Sequence, residues 1–347
     1  MQQKSNNECK ENLLKSIKSN YVLENIFSYL NEKKLLNIIK YNKYLENRLN
    51  KSINDYKKYS QIEIEIIPIN NLDNKNFFLN FGVGDKKNYH IYFNNEKNER
   101  NDKHLKNSEK VYKIRIIIDY EIKSFKSLFS YCNWIKNINF LKFNRNDIID
   151  MSYMFNSCES LTGINFNNFN TDKVTDMSHM FENCKSLKKL NLIKFKTNQV
   201  KNMDCMFRGC TLLNELNITN FNTNNVINMS SMFHRCMSLK EIKCNKFNTN
   251  NVINMSYMFY FCYSLSKLEL KDFNTNHVSD MSFMFVGCHS LMELNLKISK
   301  DNKNINMESM FYECSKELIN KIKNSNSTNS NIKGEAFDYY GDKFCYW

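Results

Sequence analysis

The chain has 347 residues, 42% of them hydrophobic, enough for two ordinary domains or for one domain and an array. Its formal charge of +13 comes from 49 Lys and Arg against 36 Asp and Glu. The lysines are spread along the chain without a basic run, which argues against a nucleic-acid surface. No segment reaches the ~18 uninterrupted apolar residues of a membrane helix, and the opening residues lack the apolar stretch of a signal peptide, so a soluble, cytoplasmic protein without a membrane span is expected.

Residues 1–19 read as a polar leader. Over residues 20–60 apolar positions recur at helical spacing, with Leu23, Ile26, Phe27 and Leu30 on one face, Leu35, Leu36 and Ile39 on a second, and Leu45 and Leu49 on a third. The string from Leu23 through Phe27 and Leu30 to Leu35-Leu36 resembles an F-box, with Tyr21-Val22 where that family has Leu-Pro and Tyr44 near its usual Trp. F-box domains dock on the linker subunit of cullin-type ubiquitin ligases. The resemblance implies Leu23, Ile26, Phe27, Leu30, Leu35 and Leu36 as docking and core positions. The alternative is a small helical cap with no such partner.

Residues 61–124 read as a β-rich connecting segment. Ile62–Ile66, Asn76–Phe81, Tyr89–Phe93 and Val111–Asp119 alternate or run β-branched and aromatic, as strands do. Pro68, the only proline, closes the first run. A charged loop spans Asn94–Ser108. The last strand, centred on Ile114–Ile118, is expected to cover the open edge of the array that follows. Gly82-Val-Gly84 reads as a hairpin turn, since it lacks the third glycine and the helix of a phosphate loop.

From residue 125 to 314 a 26-residue unit recurs eight times, the last copy truncated. Its pattern is M-S-x-M-F-x-x-C-x-S-L-x-x-L-N-L-x-x-F-N-T-x-x-V-x-(D/N), and the fifth position is Phe in all eight copies, from Phe129 to Phe311. A fixed period of this length predicts a solenoid. The apolar first, fourth, fifth, eighth and eleventh positions predict a short helix, and the Asp or Asn before each Met predicts its N-cap. The fourteenth and sixteenth positions, such as Leu190 and Leu192, alternate as in a strand. The expected fold is therefore α/β, one short helix and one strand per unit. The strings Asn228-Met-Ser-Ser-Met-Phe233 and Phe221-Asn-Thr-Asn-Asn-Val226 resemble the BspA-like leucine-rich repeats of bacterial surface proteins and many protist proteins. That resemblance covers about 190 residues and implies a curved, leucine-rich-repeat-type binding solenoid without catalytic residues.

The last units decay as a terminal cap should, with Ser299 and Asn304 at the Phe and Val positions of the seventh and Glu317 at the Leu position of the eighth. Residues 315–347 read as a C-terminal cap: a closing helix over Ser315–Lys323, a polar linker, and an aromatic tail with Phe337, Tyr339, Tyr340, Phe344, Tyr346 and Trp347. Eight of the twelve cysteines fall 26 residues apart, Cys132 to Cys314. A cysteine once per unit is a buried packing position, and neighbouring copies on adjacent helices stand too far apart for disulfides. Cys205 and Cys210 alone are too few for a zinc site. The six histidines show no metal spacing, and His179 and His234 are expected on the solvent face. No cofactor, metal site or catalytic set can be assembled, so a non-enzymatic protein is expected.

Two binding surfaces follow. Strand residues facing away from the core form a polar face of mixed sign, read as concave and roughly 34 Å long if eight strands pair: Lys189, Asn191, Glu215, Asn217, Thr219, Glu241, Lys243, Lys267, Glu269, Lys271, Glu293, Asn295 and Lys297. On the helical side, Tyr257, Tyr260, Phe261, Tyr263, Phe283 and Val286 form an apolar patch, which either meets a partner or is covered by the aromatic tail. The expected function is a protein-interaction scaffold, plausible as a substrate adaptor of a cullin-type ligase; the alternative is a surface-exposed adhesion protein.

Overall fold

The computed structural model describes residues 17–70, 86–100, 110–244, 247–324 and 331–338. The expected strand Asn76–Phe81, the Gly82–Gly84 turn, most of the leader and the tail aromatics beyond Asp338 lie outside them. The chain is a mixed α/β structure with short helices at its ends and small sheets between.

Four helices open it: α1 Asn20–Ser28, α2 Glu32–Ile39, α3 Lys43–Arg48 and α4 Ile53–Tyr59. Each starts where a Ser or Asn side chain accepts a backbone N–H two or three residues into the first turn, at Ser19, Asn31, Asn42 and Ser52. Leu23, Phe27, Ile39 and Leu45 form a small core of their own. α4 ties this segment to the rest through the Tyr56–Tyr120 ring pair at 5.1 Å and the exposed Lys57–Glu121 ion pair.

A five-stranded sheet follows, built from β1 Ile62–Pro68, β2 Tyr89–Phe93, β3 Ile114–Ile118, β4 Ile135–Phe143 and β5 Gly163–Asn165, in the order β2-β3-β1-β4-β5. Ile62, Ile64 and Ile66 are fully buried, while Glu63 and Glu65 pair with Arg115 and Lys113 on the other face. The alternation is the two-residue period of a one-sided sheet. The strand covering the first unit's strand, β4, is β1, in antiparallel register, and not Ile114–Ile118, which lies one place further out. Pro68 is the last paired residue of β1, opposite Ile135.

The repeat units stack in register on the following unit, but their first half is not helical. Positions 151–161 form successive turns, and the same holds in every unit. Amide groups alternate in what they bond. Those of Met154, Asn156 and Cys158 donate to the carbonyls three residues back, whereas those of Met151, Tyr153, Phe155 and Ser157 donate to Asp176, Ser178, Met180 and Glu182 of the next unit at 2.7–3.0 Å. An α-helix would spend all these donors internally and leave none for the neighbour. The alternation requires left-handed backbone at the third and seventh positions, and all eight units have it, from Ser127 and Tyr131 to Ser309 and Glu313. At two of the seventh positions the residue is glycine for a visible reason. A Cβ on Gly209 (φ 71°) would lie 2.2 Å from Asn183 Oδ1, and one on Gly287 (φ 70°) 2.2 Å from Phe261 Cδ1.

The Asp or Asn before each Met does not cap a helix. It sits in a parallel bridge to its counterpart 26 residues on, from Ser124↔Asp150 to Asp280↔Asn306. Its side chain closes a local turn, as where Asp150 Oδ1 accepts from the Ser152 amide and hydroxyl. The strand half is shorter than expected. β6 Lys189–Asn191 pairs with β7 Glu215–Asn217, and β8 Lys267–Leu270 with β9 Glu293–Leu296, both parallel, with Glu241 bridging to Lys267. Among the described residues the strands form three separate ladders instead of one of eight.

The core runs unbroken from Ile62 to Ala336. The fifth-position phenylalanines stack in a column, Phe129 to Phe311, with ring centroids 5.5–5.8 Å apart. The ladder cysteines are buried and free, yet they are more than packing. From Cys158 to Cys314 each thiol donates to the carbonyl of the preceding unit's phenylalanine at 2.9–3.2 Å. The threonines of the F-N-T string are buried too; Thr197 Oγ1 donates to Asn222 O and accepts from Asn222 N. In the seventh unit Ile298 and Ile305, each one residue from the expected Phe and Val positions, take the buried places. Helix α5, Lys316–Asn324, buries Leu318 and Ile322, and Phe337 stacks beyond Phe311.

Candidate functional site

The outward strand positions stand on the surface as the alternation requires. Lys189, Asn191, Glu215, Glu241, Lys243, Lys267, Glu269, Lys271, Glu293, Asn295 and Lys297 are exposed; Asn217 and Thr219 are half-buried, Thr219 donating its hydroxyl to Asn217 Oδ1. Opposite charges pair along and across units. Lys189 meets Glu215 at 2.6 Å, and Lys267 meets both Glu269 and Glu293. Such exposed pairs contribute little to stability. A cleft of about 420 Å³ lies between β8, β9 and α5, lined by Leu268, Glu269, Met292, Leu294, Leu318 and Lys321.

On the turn side, the aromatic residues of units six and seven stack across the seam. Tyr257 and Phe283 lie 4.9 Å apart and nearly parallel, and Tyr260, Phe261 and Tyr263 continue the cluster at 4.2 and 5.3 Å. Tyr257 and Phe283 occupy the left-handed third position. Burial pushes the Tyr257 hydroxyl up to about 12. Val286 is not part of this surface: it is buried, as are four other sixth-position residues, whereas Tyr260 at that position and the other four aromatics are half-buried. Phe337, the described aromatic of the tail, packs on Phe311 at the end of the core and not on this cluster.

The same sixth position overturns the expectation for His234. Its ring is buried, with neither nitrogen hydrogen-bonded among the described residues, 4.7 Å from the Tyr260 ring. Burial, then the charges of Arg208 and Arg235, lower its pKa to about 3. Two seams earlier the sixth positions are polar and linked: Asn156 Nδ2 donates to Glu182 Oε2, and Arg208 lies 3.6 Å from Glu182 Oε1.

His179 is not a free surface histidine either. Its Nδ1 is 2.7 Å from Glu182 Oε2, its Nε2 is 3.4 Å from Asp204 Oδ2, and its ring stacks on Tyr153 at 4.2 Å. Burial opposes its charge, but hydrogen bonds to Asp204, Cys205 and Glu182 outweigh it and raise the pKa to about 12. Sequence reading missed this group because its members come from two units, 25 and 26 residues apart.

Among the described residues no helix is long and apolar enough to cross a membrane. Of the six F-box-like positions, Leu23, Phe27 and Leu36 are buried, Leu30 and Leu35 half-buried, and Ile26 exposed. Val22, Ile26 and Tyr29 form an exposed apolar row on α1 and its end.

No curated protein matches the chain. A family model matches it twice, over residues 123–241 and 209–325, which together span more than half of its length and hold the stacked units. The chain belongs to the family described as "Mycoplasma protein of unknown function, DUF285".

Proposed function

We propose that the protein is a non-enzymatic protein-interaction scaffold, its units forming a BspA-like leucine-rich-repeat solenoid. The observation that carries this reading is the division of labour within each unit. First, fourth, fifth, eighth and eleventh positions are the same buried residues, Met, Met, Phe, Cys and Leu, in units two to seven, while the outward strand positions change in charge and size along the array. A fixed interior under a varied exterior suits recognition of one extended protein surface, and such a face is large enough for the ~800 Å² per partner of a standard interface.

The front segment supports a finer proposal, that the scaffold is a substrate adaptor of a cullin-type ubiquitin ligase. Its helices keep Leu23 and Phe27 for their own core and leave Val22, Ile26 and Tyr29 outward, an apolar row available to a linker subunit. Affinity purification of the full chain tests both levels. A linker subunit should copurify and be lost with Ile26→Asp plus Tyr29→Asp, and a substrate should be lost with Lys271→Glu plus Lys297→Glu. No linker with the wild-type chain removes the ligase reading and leaves the scaffold. Labelling of the protein by a membrane-impermeant reagent on intact cells would favour an adhesion protein.

A further inference from the structure

The seam between the third and fourth units carries residues that no other seam has. The second position is serine in units two, three, five, six and seven, but Asp204 in the fourth. The third position, left-handed throughout, is His179 in the third unit and Cys205 in the fourth, at φ 56° and 54°. One potential ligand atom from each of His179, Asp204 and Cys205 lies within 4.8 Å of the other two.

Two of the three spacings come near those of a coordination sphere, each to a different oxygen of the one carboxylate, and the third lies within 4.8 Å. His179 Nε2 is 3.4 Å from Asp204 Oδ2, and Cys205 Sγ is 3.5 Å from Asp204 Oδ1. A tetrahedral ion with bonds of about 2.0–2.3 Å sets its ligand atoms roughly 3.3–3.8 Å apart. Two of the donors, His179 and Asp204, also have support of their own. Glu182 holds His179 Nδ1, the carboxylate–histidine arrangement that fixes the tautomer and leaves Nε2 to ligate. Tyr153 lies parallel to the imidazole, and the Ser230 hydroxyl donates to Asp204 Oδ1 at 2.5 Å. Glu182 is in turn held by Asn156 and Arg208. Cys205 is buried, while the His179 and Asp204 side chains keep 18% and 23% exposure, enough to leave a path from solvent.

We propose that His179 Nε2, an Asp204 carboxylate oxygen and Cys205 Sγ bind a Zn²⁺ ion across this seam, with water in the remaining position. One thiolate, one imidazole and one carboxylate select a borderline ion such as zinc over Mg²⁺ or Ca²⁺, which take all-oxygen sets. On binding, the Cys205 thiol proton and any proton on Nε2 pass to solvent, and the ion clamps unit three to unit four. The site is independent of the scaffold reading.

The test uses full-length protein freed of metal by chelation, then titrated with Co²⁺ and Zn²⁺. A single equivalent of Co²⁺ should give a thiolate-to-cobalt charge-transfer band, bleached by Zn²⁺ and untouched by Mg²⁺. Cys205→Ser and His179→Tyr install residues that the same position holds elsewhere, as Ser231 and Tyr153 do. Both should abolish the band and keep the circular dichroism of the metal-free protein. Glu182→Gln should weaken binding about 10–100-fold. A wild-type protein with no thiolate band, or a band that persists in Cys205→Ser, overturns the proposal. X-ray absorption of the wild-type zinc complex gives a reading that needs no variant: one sulfur with nitrogen and oxygen neighbours is expected, and two or more sulfurs overturn the assignment.

Discussion

Phe337 stacks on Phe311 with centroids 5.6 Å apart, adding a ninth ring, from outside the repeats, to the column that the units build. The same segment supplies the acceptors that the last unit lacks, since the amides of Ser309 and Phe311 donate to Glu335 O and Ala336 O. Phe337→Ala should therefore loosen the last unit first. The ring is only half-buried, so the cost should be roughly 1–3 kcal/mol, below the ~3–5 of a fully buried phenylalanine such as Phe233. Hydrogen exchange at Ser309 and Phe311 checks it, and unchanged protection there would refute the capping role.

Gly287→Ala should destabilise by more than the same change at Gly163. At Gly287 the backbone is left-handed and the new Cβ meets the Phe261 ring; at Gly163 the contact is the movable side-chain oxygen of Asn137. Strain of this kind costs roughly 1–3 kcal/mol before any clash is relieved. Paired denaturant melts decide it, and equal losses would contradict the geometry.

Thr197→Val keeps the shape and removes one hydroxyl that both donates to and accepts from Asn222. Leaving those backbone groups unsatisfied in a buried place should cost about 1–3 kcal/mol. A loss near zero, measured by urea unfolding, would mean that water replaces the hydroxyl.

His234 should make stability depend on acid. The unfolded chain takes up a proton near the ordinary value of 6.5, but the folded chain only near about 3. Stability is thus fully present above the unfolded value and falls as pH drops from 6.5 towards 3, by at most ~1.4 kcal/mol per pH unit. Urea melts at pH 7 and pH 5 should differ for the wild type and differ less for His234→Leu. Equal pH slopes for the two proteins would refute the assignment.

The ladder thiols should be inert until the chain unfolds. From Cys158 to Cys314 burial pushes the pKa values up, to about 12 for Cys210 and Cys262, and keeps these thiols protonated donors. A thiol reagent at neutral pH should leave the eight ladder cysteines unlabelled in native protein and reach all of them in denaturant.

Much of this was legible in the sequence, and the errors have definite causes. The period and the buried set were plain, because Met, Phe, Cys and Leu recur at fixed places. The helix was wrong because turns closed by a bond to the third residue back give the same three-and-four spacing of apolar positions as a helix. Asn183, Gly209 and Gly287 at the seventh position hinted at left-handed backbone, but Tyr131, Arg235 and Phe261 at that same position hid it. The partner of β4 could not be read from alternation, since β1 and β3 are equally alternating and pairing is a matter of topology. Outward strand residues followed from alternation alone. The group of His179, Asp204 and Cys205 becomes visible only when the sequence is written in rows of 26, so that one third position falls beneath another.

The one-way pattern of the turn bonds gives the stack a sense. In the turns the donors of each unit face the acceptors of the unit that follows, and the same four amide bonds recur at every join between units. A change of 26 residues would keep these bonds in step, whereas a change of another length within the turns would break the joins of that unit alone, since each unit bonds only to its neighbours. At the eighth unit the segment around Ala336 takes the place of a following unit: it accepts from Ser309 and Phe311, while its own amides at Ala336, Phe337 and Asp338 turn back on Lys333, Gly334 and Glu335.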